Sequence, residues 1–273
     1  MPPSRATRVP TSLLLLAALF SAAACAAPAT VVTTRETPLR IASYNIRHGR
    51  GSDDALDLAR TANVLRTLTP DIVGLQEVDD RVERSGRVNE ADWLGRSLGM
   101  QHAFGAFMPY QGGEYGLAIL SRYPIESHTA IRLPDGNEPR VALLARVRLP
   151  DGRPLAVVNV HFDWVKDDGF RFAQATALTR VLDTLSVPYV LLGDFNDEPG
   201  SRTLSLFEAR ATELKKPRDD HFTFSSTEPV KEIDFVFVAP AAAWGPGTAK
   251  AVTERLASDH RPVIATVVLR APR

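Results

Sequence analysis

Six short segments of this chain end in polar residues suited to one kind of chemistry. They are Ser43–Asn45 (SYN), Glu77 in QEV, His161 in NVHFD, Gly193–Asn196 (GDFN), Asp234 in EIDFVF and Ser258–His260 (SDH). Carboxylates, carboxamides and imidazoles are the groups that cleavage of a phosphoester calls for. Hard oxygen ligands hold a divalent cation, a base aligns a water, and hydrogen-bond donors offset charge growing on the phosphate oxygens. The histidines are dispersed, with neither HExxH spacing nor a cysteine pair, which speaks against a zinc centre. Ser121 and Ser258 lack a GxSxG setting, which speaks against a serine nucleophile.

Glu77 follows the apolar run DIVGL, where an unpaired carboxylate is costly. A salt bridge at a sheet edge satisfies it, and so does Mg²⁺ or Mn²⁺, which takes one or two carboxylates together with water and substrate oxygens. Residues two apart on a strand share a face, so Asn159 pairs with His161 and Asp194 with Asn196. Each pair sets an ionisable group beside a neutral amide able to orient a water or donate to a phosphate oxygen. Asp234 interrupts an apolar strand and calls for a protonated histidine partner. His48, His102, His128 and His221 read as loop or surface histidines.

These groups must be positioned by strands, because five of the six segments abut runs too short and too apolar to be anything but buried strands. Strand ends are where an open α/β sheet builds its ligand crevice. Helical spacing of apolar residues from Ala55 to Leu68 predicts a helix stopped by Pro70, and a second helix contains Trp93, Leu94 and Leu98 and ends at Gly99. Strands are predicted over 71–78, 102–107, 116–121 and 141–149, with the glycine-rich loop 109–114 rimming the site. The second half offers a strand at 155–161, a helix at 170–185, and strands at 189–194, 233–238 and 263–269. Both halves run strand, helix, strand and close on an acid, Glu77 and then Asp194. Two such sheets packed face to face with helices outside bring both acids to one edge.

At the N-terminus Arg5 and Arg8 precede the apolar run Ser12–Phe20 and a small-residue stretch reaching Cys25. Residues 1–25 therefore read as a signal peptide, residues 26–38 as a linker and residues 39–273 as one domain. Cys25 is the sole cysteine, so it staples nothing within the chain, and it offers a lipid anchor as an alternative to ordinary cleavage. The expected location is outside the cytoplasm, either free or held on a membrane face. Lys and Arg together number 32, balanced by 32 Asp and Glu, and cleavage before Cys25 removes two arginines to leave 30 against 32. Near-neutrality weakens a duplex-binding reading, although Arg81, Arg84 and Arg87 form a local basic run.

The ordered series SYN, QEV, GLAILSRYPI, NVHFD, GDFN, IDFVF and SDHRP resembles the endonuclease/exonuclease/phosphatase superfamily across Leu39–Leu269. The resemblance implies a four-layer α/β/β/α sandwich of two mixed sheets with outer helices, and a Mg²⁺-dependent phosphodiester hydrolase, Mn²⁺ being an alternative metal. It implies Asn45 and Glu77 on the metal side with Glu77 as direct ligand, and Asp259 near the metal or water. His161 resembles the phosphate-contacting histidine, Asp194 the base that aligns water, Asn196 its phosphate-binding neighbour, and Asp234 the carboxylate that fixes His260. For the acid that orients His161 the expectation is Glu114. Arg140 either approaches substrate oxygens or forms a rim salt bridge with Glu138. The expected substrate is a phosphodiester in nucleic acid, with a phospholipid headgroup or a catalytically silent phosphate-binding role as alternatives, and no obligate protein partner is evident.

Overall fold

The computed structural model describes residues 36–271 and the first two residues; the expectations for the leader, Cys25 and most of the linker lie outside the described residues. The chain forms two six-stranded mixed sheets. In the first, β1 (Thr37–Asn45) runs parallel to β2 (Ile72–Asp80), which pairs antiparallel with β4 (Gly113–Ser121), and β4 with β3 (Gln101–Tyr110). On the other flank β1 pairs antiparallel with β12 (Val263–Leu269), and β12 with β11 (Trp244–Ala251). The second sheet has β7 (Pro154–His161) parallel to β8 (Tyr189–Asp194). Outward from β7 lie β6 (Val141–Arg148) and β5 (Ile125–Arg132); outward from β8 lie β10 (Asp234–Ala239) and β9 (Thr212–Glu213).

Each parallel pair is joined by a helix, α1 (Leu58–Leu68) and α3 (Gly169–Leu182), so the strand, helix, strand theme occurs once per sheet. The period-2 alternation of the strands builds the layers. Leu39, Ile41, Ile72, Leu117 and Ile119 of the first sheet meet Leu143, Val157, Val190, Leu192 and Val236 of the second in one buried core. The opposite faces take the helices. Ala42, Tyr44, Val73 and Leu75 lie under α1 and α2 (Glu90–Leu98), while Val158, Leu191, Phe235 and Phe237 lie under α3 and α4 (Arg202–Glu208). The fold is the α/β/β/α sandwich expected of the sequence. Among the described residues no helix is long and apolar enough to cross a membrane.

The boundaries follow local chemistry. The Asp57 carboxylate accepts from Arg60 N–H, so α1 starts at Leu58 rather than Ala55, and Thr69 leaves it through a left-handed conformation before Pro70. Asn89 and Gly99 cap α2 in the same manner. β1 starts two residues earlier than expected because Thr37 still pairs with Leu269 and donates to Asp151. The stretch 109–114 is not a rim loop. It is the tight β3–β4 hairpin, with only Gln111 and Gly112 outside the strands, and it does not border the cavity described below.

Candidate active site

At one end of the sandwich, where the C-terminal ends of β1, β2, β7 and β8 meet, lies a cavity of about 820 Å³. Its walls include Glu77, Arg140, His161, Asp194, Asn196, Asp259 and His260, drawn from both sheets. Asn45 and Asp234 lie fully buried behind it.

One carboxylate oxygen organises the floor. Asp194 Oδ2 accepts from Asn45 Nδ2 at 3.1 Å and faces His161 Nε2 at 3.5 Å and His260 Nε2 at 3.6 Å. Its other oxygen accepts the Asn196 backbone N–H at 2.9 Å, a contact formed because Asn196 takes a left-handed backbone (φ 50°) just past β8. Asp234, across from Asp194 in the β8–β10 register, holds His260 Nδ1 at 3.0 Å, as expected. Thr223 Oγ1 accepts the Ile233 and Asp234 N–H groups, and the Phe224 ring packs against His260.

These surroundings separate the two histidines. Burial opposes charge on His260, but Asp234 and Asp194 outweigh it and push its pKa up to about 10, so it is an imidazolium at neutral pH. His161 is held well below its ordinary value by burial, by Arg140 and by His260. The Arg140 guanidinium, a donor only, faces His161 Nδ1 at 3.4 Å, leaving the imidazole proton on Nε2 toward Asp194. Burial raises Asp194 to about 7 against the opposing pull of His260, with Asp234 adding to the rise.

Arg140 is 1 % exposed, donates to Glu138 Oε2 at 2.9 Å and stacks on Phe107. Of the two sequence alternatives for Arg140, the structure shows the pair with Glu138, and the residue also lines the cavity. Its Nε has no partner among the described residues. Glu114 does not reach His161. It is exposed on the β3–β4 hairpin opposite Asp80 and Pro109, whereas its neighbour Tyr115 is the residue that lines the cavity. Alternation turns Glu114 to the other face, and Arg140 occupies the place at His161 Nδ1 that Glu114 was expected to take.

Asn45 Nδ2 also donates to Glu77 Oε1 at 3.0 Å. Glu77 reaches the cavity through a bulge: β2 advances from Leu75 to Val78 while β4 advances from Ala118 to Gly116, and Glu77 sits at φ 56°. Asp259 is tied to the end of β1 by its neighbour Ser258, whose Oγ donates to Asn45 C=O at 2.7 Å, and it lies 3.7 Å from Arg47 Nε. Glu77 and Asp259 are hard oxygen donors at the cavity, a pair that fits Mg²⁺ or Mn²⁺, while Asn45 turns its amide nitrogen toward Glu77 and its oxygen accepts the Arg47 backbone N–H at 3.2 Å. Ligand atoms of Asp194, Asp234 and His260 also lie within 4.8 Å of one another. That trio contains an imidazole already bonded to Asp234, so a hydrogen-bonded proton relay suits it better than a hard cation.

Among the wall residues that carried no expectation from sequence are Arg171, Asp197, Glu198, Lys231 and Phe224. Arg171 donates to Val165 C=O at 2.6 Å and pairs with Asp197 at 3.1 Å, fastening the Trp164–Lys166 loop to the loop after Asn196. Neither residue belongs to a strand-end motif, and only the fold brings them together. Asn159, expected beside His161 as a site amide, is instead fully buried between the sheets.

The model of the endonuclease/exonuclease/phosphatase family matches residues 42–260. Among curated proteins, the uncharacterised protein YbhP of Escherichia coli K12 is 28 % identical over 254 residues, covering 86 % of this chain and 98 % of YbhP. Among solved structures, an endonuclease/exonuclease/phosphatase from Beutenbergia cavernae superimposes with a TM-score of 0.70 at 22 % identity, covering 85 % of this chain and 72 % of that one. A mannosyl-6-phosphatase from Bacteroides thetaiotaomicron gives 0.69 at 20 % identity, covering 85 % of this chain and all of that one (100 %).

Proposed function

Because this chain belongs to the endonuclease/exonuclease/phosphatase family, we propose that it is a divalent-metal-dependent phosphoester hydrolase acting on a phosphodiester. The observation that carries this reading is the convergence of Asn45, His161 and His260 on one oxygen of Asp194 at the cavity floor. A cation held by Glu77 and Asp259, with Asn45 beside them, would supply Lewis-acid stabilisation of phosphate charge. Asp194, with a proton affinity near neutrality, takes the proton of the attacking water. The His260 imidazolium and the Arg140 guanidinium offset charge on the non-bridging oxygens. His161 Nε2–H hydrogen-bonds the oxygen that leaves as the P–O bond breaks, and Asn196 steadies the phosphate.

The test is hydrolysis of bis(p-nitrophenyl) phosphate with Mg²⁺ or Mn²⁺, with EDTA and Asp194→Asn as blanks. Turnover abolished by EDTA and restored by either metal is the expected result; turnover indifferent to EDTA overturns the reading.

For the substrate, nucleic acid is the expectation drawn from the family, and one observation favours a phospholipid headgroup as a second reading. Leu56, Trp164, Phe170, Phe222, Val230 and Leu256 are exposed large apolar residues, and all lie in the loops or first helical turn at the cavity end. Bases stack on aromatic rings, but aliphatic side chains at the same end of the sandwich suit acyl chains. The basic run offers duplex DNA little, since Arg84 is clamped on Asp79, Arg87 pairs with Glu83, and Arg81 lies 3.9 Å from Asp80. Headgroup release from vesicles without cleavage of plasmid DNA supports the lipid reading, and the reverse supports the nuclease. Export and an anchor at Cys25, drawn from the leader sequence, belong to the same proposal.

A further inference from the structure

The bulge that aims Glu77 is held from the opposite sheet. Asn159 on β7 donates both of its amide hydrogens across the sandwich, to Leu75 C=O at 2.8 Å and Ala118 C=O at 2.9 Å. Those residues are the last regular β2–β4 pair before the register shifts. The Asn159 oxygen accepts Gln76 Nε2 at 2.7 Å, and the same nitrogen reaches Ser43 Oγ at 3.3 Å. Gln76 is the residue immediately before Glu77, and its own carbonyl accepts Ile46 N–H at 3.1 Å. Asn159, Gln76 and Ser43 are all fully buried. An added Cβ at Gly74 would lie 3.1 Å from the Asn159 carboxamide, so this glycine leaves room for the crossing.

A bulge breaks the ladder and leaves carbonyls needing donors. A carboxamide is the side chain that supplies two donors and an acceptor at one point. Apolar packing elsewhere between the sheets needs no such group. Here the polar crossing lies directly behind Glu77, which faces the cavity with a left-handed backbone. Two residues further along β7 stands His161, so one strand carries both the bolt for Glu77 and a histidine of the Asp194 centre.

We infer that the buried Asn159–Gln76 pair is a positioning device for Glu77 that sets the affinity of the site for its divalent cation. The inference rests on the reading of Glu77 as a cation ligand. Asn159 and Gln76 touch neither cation nor substrate; they act by fixing the backbone that carries the carboxylate.

The experiment measures Mn²⁺ affinity of the purified protein by electron paramagnetic resonance, alongside melting temperature, for wild type, Glu77→Gln, Asn159→Leu and Gln76→Met. Loss of an outer partner of a ligand typically weakens metal affinity by about 10- to 100-fold. Asn159→Leu, folded at the assay temperature, is expected to bind Mn²⁺ about tenfold or more weakly, while kcat at saturating metal stays close to wild type. Gln76→Met, which removes one arm of the network, is expected to show a smaller shift of the same kind, and it decides the matter if Asn159→Leu does not fold. Weakened binding in Glu77→Gln with wild-type affinity in the folded network variants overturns the positioning role alone. Wild-type affinity in Glu77→Gln overturns the ligand reading on which it rests.

Discussion

Asp194 is the residue on which the proposed chemistry turns, because its buried oxygen faces an amide and two imidazoles of different charge. Replacement by asparagine keeps the shape and removes the base, and His260→Ala removes the imidazolium. Each is expected to lower kcat by about 10²- to 10⁴-fold with an unchanged circular dichroism spectrum. Retained turnover in either would remove that residue from the mechanism. The pH profile follows from Asp194, raised to about 7 by burial: the base must be ionised, so activity is expected to climb as pH rises through about 7, and a profile already flat at pH 5 contradicts this. His260 was readable as an ion-pair partner from Asp234 standing in an apolar strand. The neutrality of His161 was not, because it depends on burial and on Arg140, which enters from the residue just before β6. Glu114 illustrates the limit: a carboxylate beside the right strand was assigned to the site without knowing which face it took.

At the scale of elements, the strands bearing chemistry were legible because burial on both faces gives uninterrupted apolar runs. The strands that were missed lack that signal. β5 is an edge strand with mostly exposed side chains, β9 has only two residues, and β11 contains Gly245, Pro246 and Gly247 at a register irregularity. The packing of β2 gives a sharp prediction. An added Cβ at Gly74 would lie 1.9 Å from Leu192 Cδ1 on the facing sheet. Overpacking of this kind costs about 1–3 kcal/mol, so Gly74→Ala is expected to lower the melting temperature by several degrees, and an unchanged melting curve would contradict the tight sheet spacing. On α2, burial is the largest influence on Glu90, raising it to about 8 while its carboxylate accepts Asp79 N–H. A carboxyl whose folded-state proton affinity exceeds its unfolded one binds more protons when folded between about pH 4.5 and 8. Stability conferred by the protonated form is present below that window and is lost as pH rises through it, at about 1.4 kcal/mol per tenfold displacement. Glu90→Gln is expected to raise the melting temperature at pH 9 and leave it nearly unchanged at pH 4. Equal effects at both values would show that Glu90 does not titrate in this range.

Across the whole molecule, the groups are divided between the layers: Asn45, Glu77 and the segment leading into β12 belong to the first sheet, and His161, Asp194 and Asp234 to the second. The pairing of the sheets was legible from the repeated strand, helix, strand order, and the family match and superpositions agree with it. Fastenings such as Arg171 with Asp197, and Asn159 with the β2 bulge, were not, because each joins residues whose relation exists only once the layers meet. Under the proposed metal dependence, removal of divalent cation is expected to abolish turnover while leaving the melting transition cooperative, since the inter-sheet core is apolar and independent of the donor set; separate transitions for the two sheets would contradict a single shared core.

The order of strands also orders events in time. The second sheet is one uninterrupted stretch of chain, but the first is assembled from both ends, with β12 inserted beside β1 at its centre. Asp259 and His260 arrive on the segment just before that strand, after every other group of the site has been translated. A ribosome-bound chain already holding Glu77, His161 and Asp194 therefore lacks its imidazolium and one acid. On the proposed mechanism turnover awaits the making of β12 and its slotting into place, so a chain truncated before Val263 is expected to be inert however well its second sheet has formed.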